Sequence, residues 1–341
     1  MNTPRRSSPP TRSPEQRRGD PAAGTPVGGE VVFVGAGPGA PDLITLRGAK
    51  VIAEADIVIW ASSLVDEAIV AGVRPGAEVI DSASLPLEGI EPLYQRAKDD
   101  GLLVARVHTG DPSIYGATAE QRKICERIGI PHRTIPGVSA FSAAAARMDA
   151  EITVPEVSQT LILTRLEGGR TPMPARETVR GFATHGATMA LYLSAARNKA
   201  LQEELLAGGY PPETPCIVGY RVSWPDELMM RCRLDELSAT MAEHKLWKHT
   251  VVLVGPALGA QGETRSHLYH PGFRHEYRKA EGEAPVPARD TIHRKPRTSS
   301  TASADQEVSG NSNSTPATGK KPAVAGIDVR KPDTEDSREH P

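Results

Sequence analysis

The chain has 341 residues, 38% hydrophobic and 24% charged, which is enough apolar content for a packed core and excludes a wholly disordered chain. Its 40 basic and 42 acidic side chains give a formal charge of −2, so nothing draws it generally toward phosphate backbones, and a dedicated nucleic-acid binder is disfavoured. The longest apolar runs, such as Val31–Val34 and Val251–Val254, fall far short of the roughly 18–20 residues that cross a bilayer, so the expectation is a cytoplasmic protein without a membrane partner.

Residues 1–28 are rich in Pro, Ser and Arg with no apolar segment, and are expected to form a disordered extension. From Glu30 the texture changes to short β-branched runs alternating with helical patterns, the mark of an α/β sheet with parallel strands. Val31–Val34 reads as a buried strand, followed by the loop Gly35-Ala36-Gly37-Pro38-Gly39 and a helix over about Leu43–Ala55. Ile57–Trp60 is a second strand, Leu64–Ala71 a short helix, Glu78–Ile80 a short strand and Ile90–Asp99 a helix. Leu102–Val107 is a strand ending in His108-Thr109-Gly110-Asp111-Pro112, and Ile114–Ile128 a helix stopped by Gly129 and Pro131.

Ile135-Pro136-Gly137-Val138 and the alanine-rich helix through Met148 form the candidate hinge between two α/β domains, 29–137 and 138–260. The second half continues with strand Thr160–Thr164, the segment Glu167-Gly168-Gly169-Arg170-Thr171-Pro172, a helix near Arg176–Thr184 and strand Thr188–Leu193. A helix over Lys199–Leu206 follows; Cys216–Val222 and Leu228–Leu234 flank Trp224-Pro225-Asp226-Glu227 as a hairpin, which makes the second sheet mixed. Helix Leu237–His244 and strand Thr250–Val254 close the core, and 261–341 is expected to be a disordered tail.

In open α/β sheets ligands bind beyond the carboxyl ends of the strands, where loop amides and helix N-termini converge. Gly35–Gly39, Thr109–Asp111, Gly137–Ala140, Gly168–Thr171 and Ser194 all fall at such ends and carry small residues that let a backbone approach a ligand. Each alone would read as a turn, but several on one chain point to a site. The first loop is not a dinucleotide fingerprint, because its spacing is G-x-G-x-G with Pro38 inside, and strand two ends in Trp60-Ala61-Ser62-Ser63 with no carboxylate for a ribose. No Gly-Lys-Ser/Thr and no G-x-S-x-G elbow is present, which disfavours a P-loop and that class of hydrolase.

His108 and Asp111 could pair or hold a metal, but Asp before Pro at a strand end commonly organises a turn. His267, His270 and His275 read as solvated tail residues, so no metal is assigned. Cys125, Cys216 and Cys232 lack zinc or redox spacing and read as packing residues. Arg165, Arg170, Arg197 and Arg221 fall at or beyond strand ends of the second half, where guanidinium forks suit a substrate with several carboxylates.

Val31-Val32-Phe33-Val34-Gly35-Ala36-Gly37-Pro38-Gly39 and, in order, Gly110-Asp111-Pro112 within His108–Gly116 resemble the two signatures of the tetrapyrrole methylases, class III S-adenosylmethionine-dependent methyltransferases. The resemblance spans about residues 30–258. Within the family, Ser62-Ser63-Leu64-Val65, Leu163–Pro172 and Trp224–Glu227 are similar to the branch that methylates C11 of precorrin-4 in cobalamin synthesis.

The resemblance implies two α/β domains with S-adenosylmethionine folded into the cleft between them, a polycarboxylate tetrapyrrole as substrate, and a homodimer. Carried over by position, the cofactor would meet Pro38, Thr109, Gly110, Asp111, Ile114, Ser139, Ala140, Leu193 and Val222, and the substrate would meet Arg165, Arg170, Gly37, Gly39 and Tyr115. Two positions depart from the family pattern: Ala40 stands where Asp often precedes Pro41, and Ser62 where uroporphyrinogen methylases carry an acid. No catalytic base is assigned. The alternatives are another tetrapyrrole methylase activity, a protein or RNA substrate for the same fold, or a non-catalytic ligand-binding module.

Overall fold

The computed structural model describes residues 29–168, 171–260, 266, 269–274 and 276–279, all within one compact unit. Gly169, Arg170, His267, His275 and the two chain ends, for which the sequence carried expectations, lie outside the described residues. Two five-stranded sheets carry the architecture.

The first sheet contains β1 (Glu30–Gly35), β2 (Ile57–Trp60), β3 (Glu78–Asp81), β4 (Leu103–His108) and β5 (His132–Ile135) in the order β3-β2-β4-β1-β5, every pair parallel. Parallel neighbours need crossovers. These are supplied by α1 (Leu46–Glu54) between β1 and β2, α2 (Leu87–Asp100) between β3 and β4, and α3 (Thr118–Ile128) between β4 and β5. β1 is apolar at every interior position because helices cover both faces: Val32 and Val34 pack with Val51 and Ile52 of α1, while Val31 and Phe33 pack with Ile90 and Tyr94 of α2 and Ile124 of α3. Burying each such side chain is worth about 1.5–3 kcal/mol. Tyr94 is fully buried and its hydroxyl donates to Gln121 Oε1 at 2.9 Å, an oxygen that also accepts Arg106 Nε at 2.9 Å.

The second sheet contains β6 (Leu161–Arg165), β7 (Thr188–Tyr192), β8 (Pro215–Tyr220), β9 (Leu228–Arg233) and β10 (Thr250–Val254) in the order β6-β7-β10-β8-β9. Only β6 and β7 are parallel, so the sheet is mixed as expected, and β8–β9 is the hairpin read from the sequence. One face packs on α4 (Ala140–Arg147), the other on α5 (Val179–Ala183), α6 (Asn198–Ala207) and α7 (Leu237–Glu243). Residues 136–139 connect β5 to α4.

Several elements differ from the sequence reading. The Leu64–Ala71 helix is a single 3₁₀ turn at Glu67–Ile69, capped by Asp66, whose carboxylate accepts Ala68 N–H at 2.9 Å. Helix α3 begins at Thr118 rather than Ile114, because Tyr115 and Ala117 adopt left-handed φ values of 54° and 49° and break the register. The helix near Arg176–Thr184 shortens to Val179–Ala183 behind a Thr178 cap. Strand β5 was not anticipated; it is a short polar edge strand paired only with β1, squeezed between Pro131 and Pro136.

Candidate active site

The carboxyl ends of β1 and β4 run into two loops that pair with each other. Ala36 N–H donates to His108 O at 2.8 Å, Gly110 N–H to Gly37 O at 2.7 Å and Gly37 N–H to Gly110 O at 3.3 Å. The chain after β5 packs on both. A Cβ on Gly35 would lie 2.5 Å from Gly137 N, and one on Gly137 would lie 2.1 Å from Gly110 O, so three backbones meet where no side chain fits.

Asp111 fastens this junction. One carboxylate oxygen accepts Gly137 N–H at 3.0 Å; the other accepts Ser113 N–H at 2.8 Å and the Ser113 hydroxyl. Burial pushes the carboxyl up, but the bonds from Ser113 and Gly137 outweigh it and hold Asp111 below the usual carboxylate range. Its role is therefore the turn-organising one, extended to a contact 26 residues away. His108, just before it, is buried among Phe33 and its neighbours, and burial together with the Arg106 charge pushes its imidazole down to about 3. That residue is a buried, neutral imidazole packed on the Phe33 ring.

On the second sheet, β7 ends at Tyr192, and Leu193 follows with a φ of 51° and 72% of its surface exposed. Ser194 holds this bend: its hydroxyl donates to Tyr192 O at 2.6 Å and accepts Leu166 N–H at 2.8 Å. The Tyr192 hydroxyl lies 3.0 Å from Ser139 Oγ and accepts Phe141 N–H at 3.0 Å. The Tyr115 ring from the loop after β4 stands 5.8 Å from the Tyr192 ring. Burial raises the Tyr115 phenol against the opposing charge of Arg165.

Contacts distant in sequence fasten the loop after β1 to the loop after β8. Trp224 Nε1–H donates to Pro38 O at 3.0 Å, and Ala40 N–H donates to Ser223 Oγ at 2.9 Å. A Cβ on Gly39 would lie 2.2 Å from Trp224 Cδ1 and 2.9 Å from Val222 O, so the buried Gly39 is the seat of the indole. Arg221 stacks 4.0 Å from the Trp224 ring centre and faces Asp226 at 2.8 Å. Glu227 accepts Ser223 N–H at 2.7 Å and pairs with Arg147.

The four arginines divide. Arg221 belongs to this loop packing, and Arg197 donates to Glu167 O. Arg165 donates to Thr171 O and Pro172 O, both at 3.1 Å, and to Thr171 Oγ1 at 3.3 Å, neutral acceptors that leave its charge available. Arg170 lies outside the described residues. His270 accepts Gly272 N–H at 3.0 Å, and among the described residues no group of three metal-ligating side chains occurs.

The sequence reading missed three side chains that fasten loops at the strand ends. Tyr192 drew no role, and Trp224 only that of a hairpin residue, because their partners lie 51–53 and 186 residues away. Asp81 was the third. Strand β2 ends without an acid, yet neighbouring β3 ends in Asp81, which accepts Ser62 Oγ–H at 2.5 Å, Ser62 N–H at 3.1 Å and Ala83 N–H at 2.9 Å. The Ser62 hydroxyl holds this carboxyl below its ordinary range. The Trp60↔Asp81 register is the signal that would have found it, had strand order been known.

A parallel sheet whose β1 and β4 loops meet in a glycine-built rim, joined through the Trp224–Pro38 bond to a mixed sheet, defines a two-sheet α/β protein. The chain belongs to the Tetrapyrrole (Corrin/Porphyrin) Methylases, which it matches over residues 30–238. A cobalt-precorrin-4 C(11)-methyltransferase of Methanocaldococcus jannaschii is 44% identical over 251 residues, covering 74% of this chain and 96% of that protein. The X-ray structure of a cobalamin biosynthetic enzyme, cobalt precorrin-4 methyltransferase, is similar with a TM-score of 0.65 and 41% identity, covering 67% of this chain and 95% of the other. A uroporphyrin-III C-methyl transferase from Thermus thermophilus, complexed with S-adenosyl homocysteine, has a TM-score of 0.57 and 25% identity, covering 70% of this chain and 97% of the other.

Proposed function

We propose that this protein transfers a methyl group from S-adenosylmethionine to C11 of precorrin-4, or of its cobalt-bearing form, giving the precorrin-5 level of cobalamin biosynthesis. The observation that carries the reading is 44% identity to a cobalt-precorrin-4 C(11)-methyltransferase along nearly all of that relative, combined with a glycine-built rim at the ends of β1 and β4.

The residues fit a folded sulfonium cofactor. The paired loops at Gly37 and Gly110 offer backbone without side-chain bulk, and the exposed Leu193 offers an apolar cap. Pro38, Thr109, Gly110, Asp111, Ile114, Ser139, Ala140, Leu193 and Val222 are the proposed cofactor contacts. When bound, the cofactor supplies a methyl group already activated by its sulfonium. The chain's own part is to orient, and holding reacting atoms about 3–3.5 Å apart is worth up to roughly 7–11 kcal/mol. Asp111, held ionised and fixed by Gly137 and Ser113, keeps the rim in one geometry.

Arg165, Arg170 and Tyr115 are the proposed substrate contacts, the arginines for acetate or propionate carboxylates. Gly37 and Gly39 contribute by shaping the loop beside them, Gly39 as the seat of Trp224. The lobes 29–137 and 138–260 are proposed as the functional units of a cytoplasmic homodimer. The testing experiment incubates the purified full chain with methyl-labelled S-adenosylmethionine and a precorrin-4 preparation. Label in the tetrapyrrole fraction is the expected result; label retained in the cofactor would refute methyl transfer and favour a binding module.

A further inference from the structure

We propose that Tyr192 is a positioning residue for the cofactor, acting through the start of α4. The inference rests on the methyl-transfer reading above.

Helix α4 opens at Ser139 with an extended backbone, yet the Ser139 side chain makes no cap of its own. A helix N-terminus has four N–H groups without intrahelical partners, and a Ser at this position ordinarily satisfies one. Here Phe141 N–H is taken instead by the hydroxyl of Tyr192, which reaches in from the end of β7. The same hydroxyl bonds Ser139 Oγ at 3.0 Å, so a phenol from another strand substitutes for the local cap and fixes the serine rotamer. Burial raises the phenol against these two bonds, which keeps it neutral and able to donate and accept at once.

The placement gives this cap a function beyond helix stability. Tyr192 adjoins Leu193, bonds Ser139 next to Ala140, and meets the ring of Tyr115 beside Ile114, so four proposed cofactor contacts border one side chain. These contacts belong to segments from both sheets' loops. A rigid aromatic at their junction fixes their spacing, and its hydroxyl sets how far the Ser139-Ala140 backbone stands from the cleft. Loss of the hydroxyl alone removes two bonds and no ring packing.

The experiment compares the full-length wild type, Tyr192→Phe and Tyr210→Phe. Tyr210 is the control: its buried hydroxyl donates to Ala187 O in the same lobe, away from these segments. The readouts are the Kd of S-adenosylhomocysteine by calorimetry, KM for S-adenosylmethionine, kcat, and Tm. For Tyr192→Phe the expected result is a Kd and cofactor KM raised about tenfold, with kcat and tetrapyrrole KM within twofold of wild type. Tyr210→Phe lowers Tm and leaves Kd within twofold. An unchanged Kd in Tyr192→Phe overturns the inference while the wild type still binds, and so does an equal rise in Tyr210→Phe, which makes the effect one of stability. A fall in kcat at unchanged Kd also overturns it, assigning the phenol to the reacting atoms. Failure of the wild type to bind at all removes the methyl-transfer reading and this inference together.

Discussion

Replacing Gly39 by Ala adds one methyl group at the place where the loop after β1 meets Trp224. The new Cβ would lie 2.2 Å from Trp224 Cδ1, 2.7 Å from Nε1 and 2.9 Å from Val222 O. Carbon atoms in good contact are about 3.5–4.0 Å apart, so the indole must retreat by about 1.5 Å or the loop must lift. Retreat forfeits the hydrogen bond to Pro38 O, worth about 0.5–1.5 kcal/mol, and the stacking of Arg221, worth about 0.5–1 kcal/mol at a partly exposed site. Lifting the loop incurs overpacking strain of about 1–3 kcal/mol. Both routes cost about 2 kcal/mol, which is a fall in Tm of roughly 4–8 °C for a core of this size, and the lifted loop also weakens the hold on a ligand that needs Pro38 in place.

Thermal melts and calorimetry with S-adenosylhomocysteine measure both effects. The decisive comparison is the double variant Gly39→Ala/Trp224→Ala, because removing the indole relieves the 2.2 and 2.7 Å contacts and leaves the 2.9 Å contact with Val222 O, a backbone clash that the loop must still relieve by shifting. Coupling of more than about 1 kcal/mol between the two substitutions is expected. Additive penalties would refute the claim that Gly39 exists to seat Trp224.

Three further outcomes follow from the same geometry. The His108 imidazole titrates near 3 in the folded protein and near 6.5 unfolded, so the unfolded chain binds the extra proton in that window and stability falls as pH drops below 6.5; about 2 kcal/mol is lost at pH 5, and His108→Asn flattens that slope in denaturant titrations. An unaltered slope would remove His108 as the source. Asp111→Ala strips Gly137 N–H of its acceptor and costs about 1–3 kcal/mol in Tm-derived stability, with weaker binding of S-adenosylhomocysteine; wild-type affinity in this variant would contradict its place at the rim. Arg165→Ala and Arg170→Ala each raise the tetrapyrrole KM severalfold with the cofactor KM unchanged, and unchanged tetrapyrrole kinetics in both would withdraw the carboxylate role.

The elements most legible in the sequence were those whose pattern is set by burial. Val31–Val34 and Thr250–Val254 are buried inner strands, and their dense runs of mostly β-branched residues gave them away. The rim loops were legible for a related reason: Gly35 and Gly137 leave no room for a Cβ, and Gly110 adopts a left-handed φ of 60° that favours glycine. Strand β5 was hidden because its residues His132, Arg133 and Thr134 are polar and its pairing with β1 is decided by tertiary contact. The late start of α3 was hidden because nothing in Ser113–Ala117 announces two left-handed residues that are not glycine. Side chains that act across the fold were invisible for the same reason: the cap from Tyr192, the Trp224 bond to Pro38 and the Asp81 clamp on Ser62 each require knowing which strands are neighbours. The arginines show the converse, since their placement near strand ends was readable but the local partners of Arg197 and Arg221 were not.

The central claim is tested most directly by the position of the new carbon. With carbon-13 methyl-labelled S-adenosylmethionine and precorrin-4 or its cobalt form, the product is expected to gain one methyl mass and a single enriched methyl resonance, that of the methyl borne on C11. A label at another ring carbon, or no mass gain in the presence of active cofactor and substrate, would contradict it.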